Sequence, residues 1–256
     1  MKAVILAGGL GTRLAEETDL RPKPMIEIGG RPIMWHIMQH YASHGVKEFV
    51  ICLGYKAEYV KKFFLDYSAT LSDFTVDLSS QQLHVHRQRA EDWKVTLIDT
   101  GLNTMTGGRV RRAIDYVEPN EPFCLTYGDG LGSIDVSASI EFHRAHGKKC
   151  TVTAVTPPGR FGVLDVTRDN TVTGFREKIA SDQYRINGGF FVLDPSVRDY
   201  IEEDATIWEQ GPMSRLAADG HMKAWNHDGF WHPMDTLRDK HYLENLWESG
   251  NPPWKS

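Results

Sequence analysis

The chain is 256 residues long, 41% hydrophobic and 25% charged, enough apolar material to bury a core of its own. Its net charge of −5 argues against a general nucleic-acid binder, so the basic residues are expected where discrete phosphates sit. No apolar run reaches the ~18 residues of a membrane span, and Met1-Lys2 leads straight into a strand-like run, so neither a membrane anchor nor a signal peptide is expected. The first element, Lys2–Leu6, empties into Ala7-Gly8-Gly9-Leu10-Gly11-Thr12-Arg13, and Arg21-Pro22-Lys23-Pro24 follows shortly. Glycines let backbone N–H groups come close to a phosphate because no Cβ intervenes. Arg13, Arg21 and Lys23 would put positive charge around that cradle.

Gly30-Arg31-Pro32 opens a helix with Ile33, Ile37 and Tyr41 spaced along one face, and Gly45 supplies its C-terminal stop. Strands are predicted at Glu48–Leu53, 95–98, 123–126 and 151–155, with helices between them, including 109–116 after Gly107-Gly108 and Val136–His146. The stretch 70–80 is polar and irregular and reads as a loop. Beyond Val163 strand follows strand, Gly162–Val166, 171–178 and Ile186–Leu193, read as an antiparallel second layer over the site. A helix over 236–249 closes the pattern. Such alternation predicts an α/β fold with a mixed, mostly parallel sheet covered on both faces, and ligands at the carboxyl ends of its strands. Cys52, Cys124 and Cys150 lie in or beside apolar runs and read as reduced, buried thiols of a cytoplasmic protein.

The glycine loop is neither of the two commonest phosphate loops. No Lys-Ser/Thr pair follows it, as a P-loop needs, and Leu14 stands where the dinucleotide fingerprint wants a third small residue. A second constellation ends the strand Phe123-Cys124-Leu125-Thr126-Tyr127 in Gly128-Asp129, placing a carboxylate beside the expected phosphates. Asp129 alone reads as a capping residue or a metal ligand. Asp235, before Thr236, reads equally as a helix N-cap. Two strand-end carboxylates beside a phosphate loop together favour a Mg²⁺ site, since magnesium takes one or two carboxylates, water and phosphate oxygens.

Gly8-Gly9-Leu10-Gly11-Thr12-Arg13-Leu14 followed by Arg21-Pro22-Lys23-Pro24 resembles the sugar-1-phosphate nucleotidyltransferases. Trp35-His36-Ile37-Met38, Asp99-Thr100-Gly101, Met105-Thr106-Gly107-Gly108-Arg109, Pro158-Gly159-Arg160-Phe161-Gly162, Asn187-Gly188-Gly189-Phe190-Phe191 and Met234-Asp235-Thr236-Leu237-Arg238-Asp239 are similar to the glucose-1-phosphate cytidylyltransferase branch, nearly end to end. The resemblance implies a Rossmann-like nucleotidyltransferase fold in a single domain, 1–256, with 1–130 mainly on the nucleotide side. Residues 131–256 would then lie mainly on the sugar-phosphate side, with a smaller antiparallel layer there. It implies CTP and glucose 1-phosphate as substrates, Mg²⁺ dependence, a homo-oligomer (hexamers occur) and a role in dideoxysugars of surface polysaccharide such as O-antigen. Leu6, Ala7, Gly8, Gly9, Leu10, Gly11, Thr12 and Arg13 would wrap the nucleotide, and Lys23 would neutralise its α-phosphate. Arg13, Lys23 and Asp129 would carry catalysis. Thr104, Arg109 and Gly128 would hold base and ribose, and Asp129 and Asp235 the metal. Gly162, Glu177, Lys178 and Asn187 would face the sugar phosphate. One departure is Ile179 after Glu177-Lys178, where the family usually has proline.

Gly188-Gly189 reads equally as site or as close packing. His36 and His40 stand at i,i+4, but Ile37 replaces the glutamate of a zincin, and both read as structural. His84-Val85-His86 alternates on a surface strand, while Trp225 and Trp231 read as packing or as a stacking platform. Rival functions are a uridylyl- or thymidylyltransferase, a nicotinamide-dependent oxidoreductase weakened by the incomplete fingerprint, and a nucleotide sensor without catalysis, weakened by the paired aspartates and lysines.

Overall fold

A computed structural model describes residues 1–157, 162–167, 171–177 and 184–255. Seven strands form the central sheet: β1 (Lys2–Leu6), β2 (Glu48–Leu53), β3 (Lys94–Asp99), β4 (Phe123–Tyr127), β5 (Cys150–Val155), β6 (Ile186–Leu193) and β7 (Met222–His227). Their spatial order is β7-β5-β6-β4-β1-β2-β3. All neighbours are parallel except that β6 runs antiparallel to β4 and β5.

The alternation along β1 explains why the sheet is covered on both faces. Ala3 and Ile5 join one core with Ile33, Ile37 and Tyr41 of helix α1 (Ile33–Ser43). Val4 and Leu6 join a second core on the opposite face. Period two in the strand thus feeds two separate hydrophobic clusters. Helix α2 (Ala57–Leu71) packs in the first cluster through Ala57 and Val60. Helix α3 (Thr106–Ala113) contributes Val110 and Ala113 to the second. Helices α4 (Val136–His146), α5 (Gly211–Ala218) and α6 (Leu237–Glu248) complete the cover.

Two expectations are corrected. Ile186–Leu193 belongs to the central sheet, not to a second layer over the site. Phe190 and Val192 enter one core while Phe191 and Leu193 enter the other, so this continuous apolar run is a strand buried on both faces. The stretch 70–80, read as a loop, holds the end of α2 and the strand Asp73–Asp77, which pairs with Gln82–Arg87 in an exposed hairpin. The antiparallel layer comprises two small ladders, Gly162–Val166 with Val172–Glu177 and Gly130–Gly132 with Trp231–Pro233. Among the described residues no helix is long and apolar enough to cross a membrane. Cys52, Cys124 and Cys150 are free and buried, and burial pushes each thiol up to about 12.

Candidate active site

A cavity of about 760 Å³ opens at the carboxyl ends of β1 and β4. The glycine loop forms one wall, with Leu6, Ala7, Gly8, Gly9, Leu10, Gly11 and Thr12 all lining it. The glycines have different reasons to be there. A Cβ on Gly8 would lie 2.1 Å from the Arg109 guanidinium, and Gly11 turns the chain with φ of +65°. A Cβ on Gly9 would meet nothing within 4 Å. Arg13 lies in the 3-10 turn Thr12–Leu14.

Arg109, on α3, is what the loop packs against. Only 4% exposed, it donates from Nη1 to the Leu53 carbonyl (2.9 Å) and the Thr100 hydroxyl (2.5 Å). From Nη2 it donates to the carbonyls of Gly8 (3.1 Å) and Leu102 (3.4 Å). One side chain therefore ties the glycine loop to the end of β2 and to the 100–105 segment that carries Thr104. Burial pulls its pKa below the ordinary value, though an arginine starts so high that it stays cationic at neutral pH. Thr104 and Arg109 both line the cavity.

Lys23 sits in the short 3-10 turn Lys23–Met25, whose entry is set by Pro22 in extended conformation. Its ammonium donates to Asp129 Oδ2 at 2.6 Å and Asp235 Oδ1 at 2.9 Å, and all three residues line the cavity. Burial works to lower the lysine's pKa, but the Asp129 charge and the hydrogen bonds to both carboxylates outweigh it and hold the group above its ordinary value. The aspartates, far apart in sequence, meet because Gly130 pairs with Pro233 in the small ladder. The Asp129 carbonyl then accepts from Met234 N–H at 2.8 Å. Gly128 permits the approach from β4: a Cβ there would touch the Leu6 carbonyl and the Pro24 ring at 3.0 Å.

Capping does not occupy Asp235. The N-cap of α6 is Thr236, in a reciprocal capping box with Asp239, and the Asp235 backbone N–H donates to Asp239 Oδ2 at 3.1 Å. Asp129 and Asp235 offer hard carboxylate oxygens to one point, the Lys23 ammonium, in the cavity that the glycine loop lines. That donor set fits Mg²⁺, whose remaining ligands would be water and phosphate oxygens. Among the described residues no cluster of three or more His, Cys, Asp or Glu adds to it.

Asn187, at the start of β6, lines the same cavity; Gly162 and Glu177 are paired across their own ladder, and Lys178 lies outside the described residues. Arg21, expected at the cradle, instead pairs with Glu27 at 2.5 Å. Close packing explains Gly188 and Gly189: a Cβ on the first would sit 2.7 Å from Val155, and the second has φ of +77° against the Tyr127 ring. Trp231 donates its indole N–H to the Gly188 carbonyl at 2.7 Å while lining the cavity. His36 and His40 each spend Nε2 on a backbone carbonyl, and burial lowers both to about 4, leaving them neutral. Sequence reasoning passed over Tyr127, Thr106 and Glu209, which form one hydrogen-bonded group with Asn187. For Tyr127 the signal was its place directly before Gly128-Asp129; for Glu209 there was none.

Residues 2–214 match the nucleotidyl transferase family. A glucose-1-phosphate cytidylyltransferase of Salmonella typhimurium is 57% identical over all of this chain and 99% of its own length. A probable glucose-1-phosphate cytidylyltransferase of Bacillus subtilis is 44% identical over the same shares. Among solved structures, HddC from Yersinia pseudotuberculosis superposes with a TM-score of 0.71 at 24% identity, over 96% of this chain and 99% of that one, which shows the shared fold. The chain belongs to the nucleotidyl transferase family, and its sequence groups with the glucose-1-phosphate cytidylyltransferases.

Proposed function

We propose that the protein transfers a cytidylyl group from CTP to α-D-glucose 1-phosphate, giving CDP-glucose and pyrophosphate. The observation that carries this reading is Lys23 held between Asp129 and Asp235 at the mouth of a glycine loop. End-to-end identity to cytidylyltransferases supports the choice of base and sugar.

The chemistry needs little from protein acids or bases. An oxygen of the sugar phosphate attacks the α-phosphorus of CTP, the bond from that phosphorus to the bridging oxygen breaks, and pyrophosphate leaves in line. A phosphate monoester is mostly ionised near neutral pH, so no side chain has to remove a proton. What the chain supplies is alignment of two anions that repel each other, and neutralisation of charge that grows at the α-phosphate. The glycine loop presents backbone N–H groups to the nucleotide, Arg109 holds that loop in place, and Lys23 meets the α-phosphate. Arg13 would add positive charge for the nucleotide. Asp129 and Asp235 would hold Mg²⁺, which would neutralise and align phosphate oxygens when bound.

Thr104 and Gly128 belong to the base and ribose side, and Gly162, Glu177, Lys178 and Asn187 to the sugar phosphate. Residues 1–130 would thus serve mainly the nucleotide and 131–256 mainly the sugar. We further assign a homo-oligomer, a hexamer on family grounds, acting in the cytoplasm to feed dideoxysugars of surface polysaccharide. The exposed hairpin supports assembly: Phe74 opposes Val85 and Val76 opposes Leu83 on one face, all at least 40% exposed, and a lone two-stranded hairpin is marginal in water.

Pyrophosphate release on mixing the enzyme, Mg²⁺ and glucose 1-phosphate with each nucleoside triphosphate in turn tests the reading. CTP should be preferred at least ~10-fold in kcat/KM, about 1.4 kcal/mol of discrimination. Equal or faster turnover with UTP or dTTP would instead make it a uridylyl- or thymidylyltransferase.

A further inference from the structure

Glu209 contacts two side chains that line the cavity from different elements. Its Oε1 accepts from the Tyr127 hydroxyl at 2.5 Å, and its Oε2 accepts from the Thr106 hydroxyl at 2.7 Å. Tyr127 ends β4 on the side of Asn187, whose Nδ2 donates to the Tyr127 oxygen at 3.3 Å. Thr106 opens α3, two residues from Thr104, and its oxygen also accepts from Trp208 N–H at 2.9 Å. The support beneath Glu209 is firm. Trp208 is fully buried, Met105 N–H donates to the Asp204 carbonyl at 2.8 Å, and Gly107 N–H donates to the Thr206 carbonyl at 2.9 Å.

The group is directional. An ionised carboxylate only accepts, so Tyr127 must give its single proton to Glu209 and turn its lone pairs toward Asn187. The Asn187 amide nitrogen is thereby set toward Tyr127, and its oxygen accepts from Gly189 N–H at 2.8 Å. Among the described residues no partner takes the second N–H of that amide. Thr106 is oriented the same way, donating to Glu209 while accepting from Trp208.

We infer that Glu209 is a positioning residue that couples the nucleotide wall, through Thr106, to the sugar-phosphate wall, through Tyr127 and Asn187. The inference rests on the substrate assignment above. Replacing the carboxylate with an amide forces one N–H toward a hydroxyl that must itself donate, so one of the two arms reverses.

Steady-state kinetics of wild type, Tyr127→Phe, Thr106→Val, Glu209→Gln and Glu209→Ala, varying each substrate in turn, test it, with thermal unfolding recorded for each. Tyr127→Phe should raise KM for glucose 1-phosphate ~5-fold and leave KM for CTP within 2-fold, and Thr106→Val should do the reverse. Glu209→Ala should raise both KM values. Glu209→Gln should raise at least one and lower the melting temperature less than Glu209→Ala. Folded Glu209 variants with both KM values unchanged would overturn the coupling, as would a Glu209→Ala that moves one KM alone. Should Glu209→Ala not fold, Glu209→Gln decides when combined with the single variant of the arm whose KM it raises, Tyr127→Phe for glucose 1-phosphate or Thr106→Val for CTP: losses in that KM that simply multiply show no shared hydrogen bond and reject the inference. Failure of the substrate assignment looks different, because wild type itself would then give no pyrophosphate with CTP and glucose 1-phosphate.

Discussion

Two cations line the same cavity and are held in opposite ways. Arg109 is almost wholly buried and gives its hydrogen bonds to three backbone carbonyls and the Thr100 hydroxyl, so its charge is satisfied by neutral groups of the walls. Lys23 gives its hydrogen bonds to two carboxylates that a metal ion could also claim. Burial lowers the pKa of the first; for the second the neighbouring carboxylates overcome burial and raise it. The difference separates architecture from chemistry. A planar fork with five donors suits fixing three segments at once, and a flexible ammonium suits a group that must change partners during turnover.

That division is broken most directly at the carboxylates. Asn keeps the size of Asp and one oxygen donor but removes the charge that holds a hard divalent ion. Asp129→Asn and Asp235→Asn should each lower kcat ~1,000-fold, about 4 kcal/mol, with the double variant little worse than either single one because the pair acts as a unit. Rate losses that multiply in the double variant, or activity of either single variant within a few-fold of wild type at saturating Mg²⁺, would show that they do not share an ion. Lys23→Ala comes next, with kcat down ~100-fold, since charge at the α-phosphorus grows in the transition state. It should also tighten the activation by Mg²⁺, because a cation that competes for both carboxylates has gone. A Mg²⁺ titration in which Lys23→Ala needs more metal than wild type would place the lysine outside that competition.

These sites were not equally legible in the chain. The glycine loop and Lys23 are local, read from one stretch where a strand, glycines and basic residues follow in order. Arg21 was misread there because charge and proximity in sequence do not reveal that Glu27 neutralises it. The meeting of Asp129 with Asp235 depends on the Gly130–Pro233 pairing, a contact between distant segments that the pattern around each aspartate does not announce. Ile186–Leu193 was misplaced for a related reason: an apolar run shows that a strand is buried, not which sheet receives it. Glu209 was invisible because its role lies wholly in two partners from other elements.

Arg109 is tested through its neighbour. Gly8→Ala drives a methyl into the guanidinium, 2.1 Å from Nη1, so either the loop or the arginine must shift. The expected cost is ~2 kcal/mol of stability, with KM for CTP up about 10-fold and kcat less affected. Gly9→Ala, with nothing within 4 Å, should leave stability within about 0.5 kcal/mol. Equal stability losses for the two glycines, read from denaturant unfolding, would mean that backbone freedom rather than Arg109 selects glycine at position 8.

The smallest effect expected is on stability at the start of α6, and it separates the two jobs that adjoining residues do there. Thr236 caps the helix: its side chain accepts from Asp239 N–H at 3.2 Å, and the Asp239 carboxylate returns to Thr236 N–H at 2.8 Å. Thr236→Ala should therefore cost about 1 kcal/mol, lowering the melting temperature by ~2–4 °C in a chain of this size. Asp235 joins the capping box through its backbone N–H, which Asp235→Asn keeps, and Lys23 keeps Asp129 as a partner when Asp235 is neutralised. Asp235→Asn should then change stability by less than about 0.5 kcal/mol. The two variants thus exchange phenotypes, one stable and inactive, the other less stable and active once folded at low temperature. Asn caps as well as Asp, so the deciding variant is Asp235→Ala: melting as early as Thr236→Ala while keeping its turnover would return Asp235 to the role of a helix cap and leave Asp129 alone with the metal.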